Sequence, residues 1–138
     1  MRKLGAVGLF AFLVVGCLQL SFVVSGCATS GETARVRPAT TSDLIQQLEK
    51  VGLSLFRKGI PSDVTFTVPG QEYDVSRGGT LQIYEYPREN EASLDAMRTG
   101  GGMRSNVRVY QSGALVAIYY GDNLTVQNAL ARLLGPQL

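Results

Sequence analysis

The segment from Asn106 to Tyr120 limits the possible folds more than any other part of the chain. Val107-Arg108-Val109-Tyr110 and the run Leu115 to Tyr120 are rich in strand-forming residues, and they flank the short, glycine-bearing stretch Gln111-Ser112-Gly113. A connection that short joins antiparallel neighbours, because a parallel crossover needs a dozen or more residues. A second pair is expected upstream. Val64-Thr65-Phe66-Thr67-Val68 alternates strictly, with Val64, Phe66 and Val68 on one face, and ends at the turn dipeptide Pro69-Gly70. Gln71 to Val75 extends this strand, and Arg77-Gly78-Gly79 turns the chain into Thr80 to Tyr86, which Pro87 stops.

Three helices are expected around these strands. Asp43 with Gln46 fits a capping-box variant, and Leu44, Ile45, Leu48, Val51, Leu55 and Phe56 recur at helical spacing until Gly59-Ile60-Pro61, which predicts a helix over 43–58. Glu89 to Met97 is a second helix, with Asn90 able to cap it and Gly100-Gly101-Gly102 ending it. The third opens at Asp122 or Asn123, carries Leu124, Ala129, Leu130, Leu133 and Leu134, and stops at Gly135-Pro136. The order is α-β-β-α-β-β-α. Strands in short-connected pairs predict an α+β fold, a four-stranded antiparallel sheet packed with helices.

The chain ahead of these elements is different in kind. Arg2 and Lys3 precede an uncharged run from Leu4 to Val24, followed by small Ser25 and Gly26, which is the order of a secretory signal. Arg2 and Lys3 also account for the whole net charge of +2; without them acidic and basic residues balance. A neutral domain with interspersed charges lacks the clustered positive excess that nucleic acid requires. Both cysteines, Cys17 and Cys27, lie in or at the end of the leader, so the domain behind it holds no disulfide. With no histidine in the chain and no thiol in that domain, neither a zinc site nor any other cofactor is expected.

Val24-Ser25-Gly26-Cys27 resembles the lipobox of bacterial lipoproteins, in which an aliphatic residue and two small ones precede a cysteine that becomes the first mature residue. The resemblance implies that residues 1–26 are a signal peptide removed by the lipoprotein signal peptidase, and that the Cys27 sulfur carries a diacylglyceryl group. Two or three acyl chains suffice for stable anchoring where one does not. Two other readings stay open: cleavage at Val14-Val15-Gly16-Cys17, and an uncleaved span, for which the uncharged run is long enough although glycines and Gln19 dilute it. Cleavage before Cys27 is preferred because it leaves a polar tether over 27–41, whereas cleavage at Cys17 leaves apolar Leu18 to Val24 exposed. Residues 42–138 are then a single domain. Ala28 is not the aspartate associated with inner-membrane retention, so the resemblance implies the outer membrane in a Gram-negative cell and the outer face of the plasma membrane otherwise.

The domain itself is similar to small, uncharacterised bacterial lipoproteins in Thr80-Leu81-Gln82-Ile83-Tyr84-Glu85-Tyr86, in Tyr119-Tyr120-Gly121-Asp122 and in Ala131 to Gln137. That similarity implies architecture and export, and no activity.

Absence of histidine excludes histidine-based triads and Cys-His pairs. Lys50 with Ser54 four residues on could form a Ser-Lys dyad, but that spacing arises by chance on any polar helix face. Glu72 and Asp74 share a face of an extended segment and are expected to repel across a solvated turn; Glu85, Glu89 and Glu91 cluster where a helix N-terminus attracts acid. Gly100 to Gly102 with Met103-Arg104 lacks the lysine and hydroxyl of a phosphate-binding loop. The remaining candidates are Tyr84, Tyr86 and Tyr110, which would form a binding surface if they lined an open sheet face. The expectation is therefore a non-catalytic, lipid-anchored envelope module binding an envelope protein, a wall polymer or a small ligand, or serving a structural role. The alternative is a carboxylate-dependent hydrolase.

Overall fold

The computed structural model describes residues 37–62, 66–100 and 105–138. The first helix, α1, spans Thr41–Lys50, and its start lies upstream of the expected cap. Thr40 is the N-cap: its Oγ1 accepts from the Asp43 N–H at 3.1 Å, and Asp43 Oδ2 accepts from the Thr40 N–H at 3.2 Å. Asp43 thus closes a capping box with Thr40 and is not itself the cap.

The expected helix over 43–58 is corrected to a helix followed by a strand. Gly52, at φ 83°, ends α1 in a Schellman motif. The Leu53 N–H donates to the Leu48 carbonyl at 3.0 Å and the Gly52 N–H to the Glu49 carbonyl at 2.9 Å. Leu48 and Leu53, the two apolar residues that such a motif brings together, are both 1% exposed. The chain is then free to extend, and Leu55–Gly59 forms β1. Four strands become five.

The connection after β1 also departs from expectation. Residues 63–65 lie outside the described residues, and Phe66 to Val68 are bends that fold against the sheet, so the strand expected over 64–68 is not formed in its described part. Its successor, Gly70–Val75, is a strand in its own right, β2. Then come β3, Thr80–Glu85; α2, Glu89–Gly100; β4, Val107–Ser112; β5, Leu115–Tyr120; and α3, Leu124–Leu134. The hairpin strands run further than their sequence suggests, leaving Gly113-Ala114 as a two-residue turn.

All five strands form one antiparallel sheet in the order β1-β2-β3-β5-β4, which makes the protein α+β. Because β3 and β4 both run antiparallel to β5, they are parallel to each other, and α2 is the crossover between them. The β4–β5 hairpin then returns β5 into the gap. This placement explains why Leu115 to Ile118, with Tyr119, are all buried: β5 is an interior strand covered on both faces.

Helices α1 and α3 cover one face. Leu44, Leu48, Val126, Leu130 and Leu134 pack there on Tyr73, Leu81, Ile83, Tyr110, Ala117 and Tyr119. On the other face α2 lays Ala92 and Ala96 against Tyr84, Tyr86, Val107, Val109, Val116 and Ile118. The small residues of α2 allow close approach to the sheet, where large tyrosines fill the space. At the β4 edge the Leu138 N–H donates to the Val109 carbonyl at 3.0 Å. The β1 edge carries exposed Arg57 and Lys58 and a register irregularity between Arg57 and Gly59, both of which discourage edge pairing.

Candidate functional site

The three candidate tyrosines do not line an open sheet face, the condition on which they would have formed a binding surface. Tyr84 and Tyr86 lie under α2 at 1% and 4% exposure, while Tyr110 lies on the opposite face under α3 at 2%. Period-2 alternation puts Tyr84 and Tyr110 on opposite faces, because Tyr84 is opposite Val116 whereas Tyr110 is opposite Ala117. Each has an internal role. Tyr84 Oη donates to Gln82 Oε1 at 3.0 Å, Tyr86 Oη donates to Asp95 Oδ2 at 3.0 Å, and burial pushes the Tyr110 and Tyr86 phenols up, the latter helped by its bond to Asp95. Cys27 lies outside the described residues.

Several acidic residues are likewise engaged. Glu72 and Asp74 do not face each other across a solvated turn; they sit on β2 with the Lys58 ammonium between them, 3.2 Å from Glu72 Oε1 and 3.4 Å from Asp74 Oδ1. Gln82 Nε2 donates to the second Glu72 oxygen at 3.0 Å, and the hydrogen bond to Glu72 and the charge of Asp74 raise the Lys58 pKa. Asp95 is a buried carboxylate on α2, at 5% exposure. Burial alone would raise its pKa, yet the Thr67 N–H and hydroxyl, the Tyr86 hydroxyl and Arg98 outweigh burial and hold it below the ordinary value of 3.8. It is therefore an acceptor that pins the loop before β2 to α2, and it is held away from the protonated form that a general acid needs. Glu85 accepts from the Thr41 N–H at 2.9 Å and so ties β3 to the start of α1. Lys50 ends α1 and Ser54 lies beyond the Schellman turn, so the four-residue helical spacing expected for a Ser-Lys dyad does not exist. Among the described residues no group of three metal-ligating side chains is gathered.

What the packing does build is a groove between α1 and α3 of about 910 Å³, within the usual range for small-molecule sites. From α1 come Asp43, Gln46, Gln47 and Lys50, at i, i+3, i+4 and i+7; from α3 come Thr125, Asn128, Ala129, Arg132 and Leu133, on the same spacing. Each helix therefore turns one polar stripe to the groove, beside the apolar stripe it buries. Val51, Leu53, Ala129 and Leu133 supply apolar lining, and Arg37 and Ala39 close the end where the chain enters the domain. Three cations, Arg37, Lys50 and Arg132, line the groove against one acid, Asp43, of which Oδ2 accepts the Thr40 N–H. None of the three cations forms an ion pair among the described residues.

Sequence reasoning missed this site although both stripes are visible in it. Polar residues at helical spacing look like ordinary solvated surface until two such stripes, far apart in the chain, are set side by side.

Comparison with known proteins finds no matching family model, no matching curated protein and no matching solved structure.

Proposed function

We propose that this protein is a lipid-anchored module of the bacterial cell envelope that binds a small ligand without transforming it, and that the α1/α3 groove is where it binds. The observation that carries the reading is the groove itself: side-chain amides from two helices, and three cations that form no ion pair among the described residues, beside an apolar lining. Such a mixture orients a ligand through a few polar contacts and holds it by burial. The leader supports the envelope placement through its lipobox-like Val24-Ser25-Gly26-Cys27, with acylated Cys27 as the membrane anchor. The outer membrane is the proposed destination in a Gram-negative cell, and the outer face of the plasma membrane in a Gram-positive one.

The hydrolase alternative loses support from the arrangement of the acids. Glycosidase-type chemistry needs two carboxyls with open space between them for a sugar bond, and Lys58 fills the space between Glu72 and Asp74.

A photo-crosslinking residue placed at Asn128 in the full chain, in cells, should capture a defined small molecule that the same probe at Glu91 on α2 does not. Equal capture at the two positions would remove the groove from consideration.

A further inference from the structure

We infer that the groove takes the head group of an anionic phospholipid from the membrane to which the chain is tethered, an inference that rests on the ligand-groove reading above. Charge is the first argument. Arg37, Lys50 and Arg132 all line one groove without an ion pair among the described residues, and the single acid there is engaged in a capping box. Helix-dipole complementarity explains a cation in the last turn of α1 and another in the last turn of α3. It does not explain why both line the same groove as Arg37, which belongs to neither helix. Guanidinium groups bind phosphate oxygens in a bidentate fork, and an ammonium adds a point charge.

The apolar lining is the second argument. Val51 is 54% exposed beside buried Leu53, so the groove offers uncovered aliphatic surface next to its cations, which suits the glycerol and first acyl carbons below a phosphate. No aromatic side chain is among the described residues that line it, so a sugar ring would find no stacking platform.

Proximity is the third. Arg37 lies ten residues after Cys27, and that stretch reaches at most about 33–36 Å when fully extended. With Cys27 acylated, the groove stays close to a surface of lipid head groups, which raises their effective concentration at the site.

The test uses the full lipidated chain in nanodiscs of phosphatidylcholine alone or of phosphatidylcholine with phosphatidylglycerol. Amide exchange over 46–53 and 128–133 should slow only in the discs containing phosphatidylglycerol. Soluble dihexanoyl phosphatidylglycerol, added to the phosphatidylcholine discs, should reproduce the protection. Lys50→Gln and Arg132→Gln should each weaken that short-chain binding by about tenfold, and Glu91→Gln on α2 should leave it unchanged. Equal protection in both kinds of disc, or protection that survives both groove substitutions, would overturn the inference. If the Asn128 probe captures another small molecule while phosphatidylglycerol leaves exchange unchanged, the lipid assignment fails and the ligand groove stands. If the probe captures nothing specific, both fail.

Discussion

Gly70 stands directly opposite Tyr84 in the β2–β3 ladder, and the tyrosine ring lies across the place where a side chain at position 70 would begin. A Cβ built on Gly70 would stand 2.8 Å from both Cδ1 and Cζ of Tyr84, closer than real side chains approach. The ring stacks at a tilt on Phe66, with centroids 4.1 Å apart, so it is held from both sides. One absent side chain on β2 thus lets an aromatic residue lie down on the sheet and gives the loop before β2 something to pack on.

Gly70→Ala should therefore destabilise the protein by about 1–3 kcal/mol, as overpacking of a filled core does. Urea denaturation should show a lower midpoint with an unchanged slope. In a double-mutant cycle, Tyr84→Leu should relieve part of that loss; strictly additive effects would show that the ring is not the obstacle.

Asp95 makes stability depend on acid. Its folded pKa lies below the ordinary 3.8, so the folded state binds fewer protons than the unfolded chain near that pH. The stabilisation is fully present above the ordinary carboxyl value and is lost as pH falls through the folded one. Asp95→Asn should flatten the acid limb of a plot of urea midpoint against pH. Tyr86→Phe, which removes a donor to this buried charge, should cost about 1.5–3 kcal/mol at neutral pH; an undiminished midpoint would count against the part given to the Tyr86–Asp95 hydrogen bond.

Asn123 works at two places at once. Its Oδ1 caps α3 by accepting from the Thr125 N–H at 3.0 Å and the Val126 N–H at 3.4 Å, while its Nδ2 donates to the Arg77 carbonyl at 2.9 Å. Asn123→Ala should cost about 1–2 kcal/mol. Asn123→Asp keeps the cap and loses only the donor, so its thermal midpoint should fall between those of the alanine variant and the native protein.

Lys58 guards the β1 edge as well as bridging Glu72 and Asp74. Its replacement by threonine puts a strand-forming residue on an open edge and leaves two carboxylates on one face without their counter-ion. Light scattering during heating should show aggregation beginning at a lower temperature than in the native protein, and an unchanged onset would argue that the bulge alone protects the edge.

Cys27→Ser should abolish acylation and move the protein out of the membrane fraction or leave it as unprocessed precursor. Intact mass measurement of native material should find an acylated N-terminus at residue 27. A chain starting elsewhere with an unmodified sulfur would refute the anchor.

The expected helix over 43–58 shows where reading the sequence stops working. Leu44, Ile45, Leu48, Val51, Leu55 and Phe56 keep helical spacing across Gly52, and nothing local chooses between a helix interrupted by glycine and one terminated by it. The choice is made by burial of Leu53 beside Leu48 and by the free edge that β2 offers to Leu55–Gly59. The tyrosines illustrate the same limit. Their strands were legible, but whether a face is open depends on where the helices land, and no short window contains that.

Local chemistry was enough for the turns at Arg77-Gly78-Gly79 and Gly113, the antiparallel hairpin and the start of α3 at Asp122 or Asn123, because each depends on residues a few positions apart; the structure chose Asn123 as the cap. The lipobox-like reading of the tetrapeptide ending at Cys27 rests on the same kind of local pattern. Long-range packing alone set the insertion of β5 between β3 and β4, the burial of all three candidate tyrosines, and the placing of Arg37, Lys50 and Arg132 along one groove. Those outcomes are decided by apolar surface seeking cover across the whole domain, and that energy belongs to no single stretch of chain.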